Sequence, residues 1–165
     1  MYFSLHPHME FDNQVVVDMF RRVIPHKNII DNYAVLTTHD VKDQDTPETL
    51  AYELYGDSEY HWVILIINNI VNMRKDWPLR SREFGDFVSI KYPAPGQPDM
   101  IHHYEDEDGY VVDAPTAAEL ASGTNKLSIT NFTYEERINE AKGKIKILKL
   151  EYLKLFVDNF KTLVA

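Results

Sequence analysis

Residues 45–70 read DTPETLAYELYGDSEYHWVILIINNI, and the punctuation of this stretch limits the folds open to the chain. Thr46 is placed to cap a helix, with Pro47 at its first position and Glu48 in its first turn. Leu50, Ala51, Leu54 and Tyr55 fall on one helical face, and Gly56 supplies a left-handed stop. Asp57-Ser58 then starts a second helix, with Glu59 following. Its body, YHWVILII, is apolar almost all round. Valine and isoleucine alone would permit a strand here, but the cap and the glycine turn select a buried helix, which Asn68-Asn69 ends.

The flanking sequence is read from this anchor. Val15, Val16, Met19, Phe20 and Val23 recur at helical spacing and predict a docking helix over about 12–23, behind an aromatic arm that contains His and Pro. Arg21 and Arg22 suit its negative end, and Pro25 stops it. NYAVLT, residues 32–37, predicts a short strand, and 38–45 a polar turn. Asp76-Trp77-Pro78-Leu79 reads as a bend. A third short helix follows from Ser81 as N-cap, with Phe84, Phe87 and Val88 inward. YPAPGQP, residues 92–98, is a linker or an ordered extended crossing. Residues 101–113 predict a hairpin that turns at Asp108-Gly109. A helical turn is expected at 116–121 and a strand at 127–130. A helix is expected over 134–141, interrupted by Gly143. Residues 144–147 alternate as a strand would, although the sequence leaves strand or helix open over 144–148. Leu150, Leu153, Phe156, Val157, Phe160, Leu163 and Val164 form an amphipathic helical stripe. The organisation read from the sequence is an N-terminal arm and docking helix over 1–31, a module over 32–90, and a proline-rich crossing, hairpin and helical region over 91–165.

Composition excludes several function classes. Seventeen Lys and Arg against 26 Asp and Glu give a net charge of −9 and a pI near 5.2. Such a chain is badly suited to neutralising phosphates, so no nucleic-acid partner is expected. The absence of cysteine removes disulfides, thiolate metal sites and cysteine nucleophiles. The longest apolar run, Trp62–Ile67, falls short of the roughly 20 residues of a membrane span. MYFSLHPHMEF lacks a basic start followed by an apolar stretch, so no secretion signal is expected.

No catalytic constellation emerges. A phosphate loop, an HExxH helix and a nucleophile elbow are all missing from the sequence. The acidic run Glu105–Asp108 before Gly109 fails as a calcium loop, because Tyr104 and Pro115 occupy the first and last ligand positions; a solvated hairpin tip is expected instead. Adjacent strand residues face opposite ways, so His102 and His103 are not expected to share a metal ion. His6 and His8 flank a proline in the arm and are weak evidence for a metal site, so no metal is expected there. Glu48 and Glu53 lie about 500° apart around a helix and do not share a face. Neither an enzyme nor a cofactor is expected.

The order of Tyr33-Ala34-Val35, Asp45-Thr46, Leu50-Ala51, Leu54-Tyr55-Gly56 and Asn68-Asn69-Ile70 resembles a LysM module. Such modules commonly bind N-acetylglucosamine polymers, including peptidoglycan, which gives one candidate function. Gln44 stands where these modules usually carry glycine, and no closing strand is visible after Ile70. A wider resemblance runs through Ser4-Leu5-His6-Pro7, Asp18-Met19-Phe20-Arg21-Arg22, Leu54-Tyr55-Gly56 with Trp62, Asp76-Trp77-Pro78-Leu79, Tyr134-Glu135-Glu136-Arg137 and Ile145-Lys146-Ile147-Leu148. In that order these motifs are similar to the baseplate wedge protein 53 family of contractile-tailed bacteriophages. That resemblance implies an α+β fold, in which a LysM-like small module carries an N-terminal arm and helix and a C-terminal hairpin plus amphipathic helix. It also implies a virion structural protein of the tail baseplate, present in the host cytoplasm during assembly. The module would clamp other wedge proteins in a six-fold assembly, with no membrane, nucleic acid or small-molecule substrate. The expected contact residues are Asp45, Thr46, Tyr55, Tyr60, Trp62, Asn68, Asn69, Trp77, Pro78 and Arg80, with Phe20, Phe156 and Phe160 on docking helices. Trp62 is read as core before contact, and Trp77-Pro78, in a loop, as contact.

Overall fold

The computed structural model describes residues 6–18, 24, 34–123 and 125–164. Among these, seven α-helices and small antiparallel sheets make a mixed α+β fold. The chain divides into two units: residues through Trp77 together with those from Gly143 onward, and Pro78–Lys142.

The first unit opens with a hairpin of β1 (His8–Phe11) and β2 (Gln14–Val17). This overturns the helix expected from residue 12, as far as Asp18; residues 19–23, with Phe20, lie outside the described residues. Asp12 and Asn13 take left-handed φ of 51° and 57°. These residue types tolerate that conformation in a two-residue hairpin turn, and the three valines that follow suit a strand. Strand β3 spans Leu36–Asp40, several residues later than expected and inside the segment read as a turn. Helix α1 (Pro47–Tyr55) begins and ends as its sequence dictates. Thr46 accepts from the Thr49 amide, and Gly56 closes the helix at φ 77°. Asp57 caps a single 3-10 turn, Ser58–Tyr60, which feeds α2 (His61–Ile67). A one-turn helix not expected from sequence, α3 (Met73–Asp76), is capped by Asn72.

β3 pairs antiparallel with β7 (Lys144–Leu148), in register from Leu36 opposite Leu148 to Asp40 opposite Lys144. The partner of β3 therefore comes from beyond residue 143. The C-terminal helix α7 (Leu150–Val164) completes the unit. Leu36, Leu50, Ala51, Tyr55, Trp62, Val63, Ile64, Ile67, Trp77, Ile145, Ile147, Leu148, Leu153, Phe160 and Val164 form one buried cluster. Burial of this apolar surface is the main force closing the unit.

The second unit contains α4 (Ser81–Lys91), where Arg80 is the cap residue and Ser81 the first helical residue, one place from expectation. Residues 92–100 cross through a left-handed Gly96 and a 3-10 turn at Gln97–Asp99. Strand β4 (Ile101–Glu105) lies between β5 (Val111–Val112) and β6 (Leu127–Thr130). Helix α5 (Ala117–Ser122) carries a full capping box between Thr116 and Glu119. Helix α6 runs over Asn131–Gly143. Phe84 packs edge-on against Phe132 at 5.4 Å. Polar locks supply much of the rest. Lys91 and Tyr92 both donate to the buried Glu135, at 2.6 and 3.0 Å. Asn139 exchanges two bonds with the Leu79 backbone. Arg137 donates to both Glu105 oxygens.

Candidate protein-docking site

The residues expected to make contacts separate by burial. Trp62 is 5% exposed and packs on Phe160 at 4.8 Å and Phe156 at 6.2 Å, all inside the first unit. Phe160 is likewise buried, while Phe156 is half-buried against the same cluster. The loop position of Trp77 suggested a contact residue, but its indole is only 8% exposed and belongs to the core. Its apolar ring is sheltered more fully than a backbone loop needs to be, which sequence position alone does not show. Tyr55 is also internal. Its hydroxyl donates to the Leu148 carbonyl at 3.1 Å, and burial pushes the phenol pKa well above its ordinary value. Tyr60 meets the Tyr55 ring edge-on at 6.3 Å and is half-buried.

Asn68 ties the end of α2 to β7. Its side chain donates to the Lys146 carbonyl and accepts from the Lys146 amide, both at 2.7 Å. This pairing mimics one residue of a neighbouring strand. Asn69 follows, exposed, at φ 56°. Asp45 organises the loop before α1, accepting from the Lys42 amide at 2.8 Å and from His39 at 3.2 Å. Partial burial opposes ionisation of Asp45, but the Lys42 and His39 hydrogen bonds and charges outweigh it and hold the carboxyl below its ordinary pKa. Thr46 is consumed as the helix cap. Pro78 and Arg80 belong to the second unit, with Arg80 exposed. Its amide donates to Glu83 at 3.4 Å.

His102 and His103 do not face opposite ways as adjacent strand residues are expected to. The register shifts between Ile101 and His103, and this irregularity brings the two Nδ1 atoms to 2.8 Å. His102 stacks on Tyr134 at 4.0 Å, and His103 donates from Nε2 to Glu105 at 3.0 Å. Among the described residues, no group of three or more His, Cys, Asp or Glu is arranged to hold a metal ion. The hairpin tip is built as expected: Asp106 accepts from the Asp108 and Tyr110 amides, and Gly109 takes φ 82°. A shallow cleft of about 490 Å³ beside it is lined by Asp106, Glu107, Asp108, Gly123, Asn125 and Lys126 and opens to solvent. It brings no nucleophile and base together.

The described surface is rich in apolar side chains. In the first unit they include Phe11 and Val15 on the hairpin, Tyr52 on α1, and Leu150, Leu155 and Leu163 on α7. In the second they include Phe87 and Ile90 on α4, and Val111 and Leu127, which flank Glu105 across the sheet. Sequence reasoning missed these positions on strands, because a half-exposed valine or leucine in a pattern looks like core. Among the described residues no helix is long and apolar enough to cross a membrane.

Among curated proteins nothing matches the chain. The family model for base plate wedge protein 53 matches residues 9–116, more than half of its 165 residues. The chain therefore belongs to the phage base plate wedge protein 53 family, and is a structural baseplate component of a phage tail that works among other baseplate proteins.

Proposed function

We propose that this protein is a clamp that joins neighbouring wedges of a six-fold baseplate through a LysM-like module turned to protein binding. The observation that carries this reading is the order β3, α1, α2, β7. Two antiparallel strands enclose two short helices around a single apolar cluster. That matches the strand–helix–helix–strand order expected of such a module, with the one-turn α3 and residues 78–142 standing before its closing strand. The internal residues Tyr55, Trp62, Asn68, Trp77 and Phe160 hold the module rigid. Asp45, Thr46, Tyr60, Asn69, Pro78, Arg80 and Phe156 are the contact candidates, and the exposed apolar side chains supply further docking area.

The test is reconstitution with the other wedge proteins of the same phage, followed by electron microscopy. The expected result is closed rings of wedges with the protein and separate wedges without it. Rings that close equally well in its absence would overturn the clamp. Co-sedimentation with insoluble peptidoglycan is the companion measurement. Saturable binding released by N-acetylglucosamine oligomers would move the module to wall recognition, and no binding is expected.

A further inference from the structure

Along an antiparallel strand, residues alternate between bonding across to the partner and turning N–H and C=O away from it. In β3 and β7 the alternation is fixed at both ends. The Val41 amide donates to the Gly143 carbonyl at 2.8 Å, and the Lys149 amide to the Val35 carbonyl at 3.0 Å. Odd-numbered residues of β3 thus face β7, and Thr38 and Asp40 face away.

The two outer edges of this sheet are treated differently. On β7, Asn68 takes both backbone groups of Lys146 and Tyr55 takes the Leu148 carbonyl. On β3, the backbone groups of Thr38 and Asp40 have no such partner among the described residues, and both residues are exposed. The register of β3 is regular, and its sequence, LTTHD, contains no proline. An edge that no bulge or proline interrupts and no described residue covers is a template for another strand. Its charge selects what fits. The Asp40 carboxylate makes no ion pair among the described residues, even with Lys144 opposite it on β7.

We propose that the outer edge of β3 at Thr38–Asp40 is a docking seam for an extended strand of another baseplate protein, which carries Lys or Arg opposite Asp40. This rests on the clamp reading and names the contact it would use. Backbone pairing supplies affinity and the cation supplies register. A second copy fits worse. Two β3 strands paired about Thr38 would set each Asp40 against the buried Leu36 of the other copy, with no cation to compensate. Both copies would also carry a net charge of −9.

The experiment is amide hydrogen exchange on the full chain, alone and in the reconstituted assembly with the phage's other wedge proteins. Thr38 and Asp40 amides should exchange fast in the free protein and slow by roughly tenfold or more in the assembly, while Thr37 and His39 stay slow in both. Thr38→Pro removes an outward donor and should keep the melting transition while joining the assembly about tenfold less well. Asp40→Asn should weaken joining to a smaller degree and guards against a proline variant that fails to fold. Incorporated wild-type protein whose Thr38 and Asp40 amides exchange as freely as before would overturn the seam and leave the clamp standing. Failure of the wild type to join would overturn both. Protection in the isolated protein, together with doubled mass, would assign the edge to a second copy and reject the basic strand.

Discussion

The two units solve the problem of stability by different means. The first gathers fifteen buried side chains from segments at both ends of the chain into one apolar cluster. The second buries little beyond Phe84, Val88 and Ile129 and depends on polar locks: Glu135 with Lys91 and Tyr92, Glu105 with Arg137 and His103, and Asn139 with Leu79. Apolar burial is non-directional, whereas hydrogen-bonded charges depend on geometry and, where exposed, on screening. The first unit is therefore most sensitive to lost packing volume, and the second to the loss of a single hydrogen-bonding partner.

The contrast can be broken at its strongest point first. Trp62→Ala removes the ring between Phe156 and Phe160 and should cost about 3–5 kcal/mol in urea unfolding; a loss below about 1 kcal/mol would show that the cluster does not dominate the first unit. Glu135→Gln takes the charge from a buried acceptor shared by two donors and should cost about 1–3 kcal/mol. Because Glu135 is buried, that cost should persist in about 1 M salt, where screening acts on exposed charges such as the Arg137 guanidinium. Asn68→Ala leaves the backbone groups of Lys146 without their partner, with an expected loss of about 1–2 kcal/mol and faster exchange of the Lys146 amide. Tyr55→Phe deletes one hydrogen bond to Leu148 and keeps the ring, so about 1 kcal/mol is expected.

Acid gives the smallest effect. Glu119 is held down from 4.5 to about 2, first by its hydrogen bond with the Thr116 amide and then by Lys126. A carboxyl lowered by folding contributes fully above its ordinary value and loses that contribution as pH falls through the lowered one. Order in α5, followed by NMR, should therefore fade as pH falls from 4.5 toward about 2 and persist above that window. Constant order across the window would show that the cap does not hold this helix.

What could be read from the sequence followed the range of the interactions. Thr46, Pro47 and Gly56 fix α1 through bonds to their own neighbours, so the helix was legible residue by residue, as was the Asp108-Gly109 turn; at 116–121 the helical turn was legible but the capping role of Thr116 was not. The pairing of β3 with β7 depends on residues far apart in the chain, and no local pattern announces it. The hairpin at Asp12-Asn13 was hidden by valines and aromatics at helical intervals, where turn chemistry outweighed periodicity. Among the expected contacts, burial of Trp62 was legible from its apolar neighbours. Burial of Trp77 was not, because its cover comes from the distant parts of the cluster.

The late position of β7 also sets a schedule for synthesis. A ribosome that has released β3, α1 and α2 has made an apolar surface with no strand to close it, and the whole of residues 78–142 must emerge before Ile145, Ile147 and Leu148 can arrive. Loop closure over such a span adds only slowly to the entropic cost, but it postpones the reward and leaves the helices exposed meanwhile. A nascent chain halted at residue 140 should remain sensitive to protease throughout its first unit.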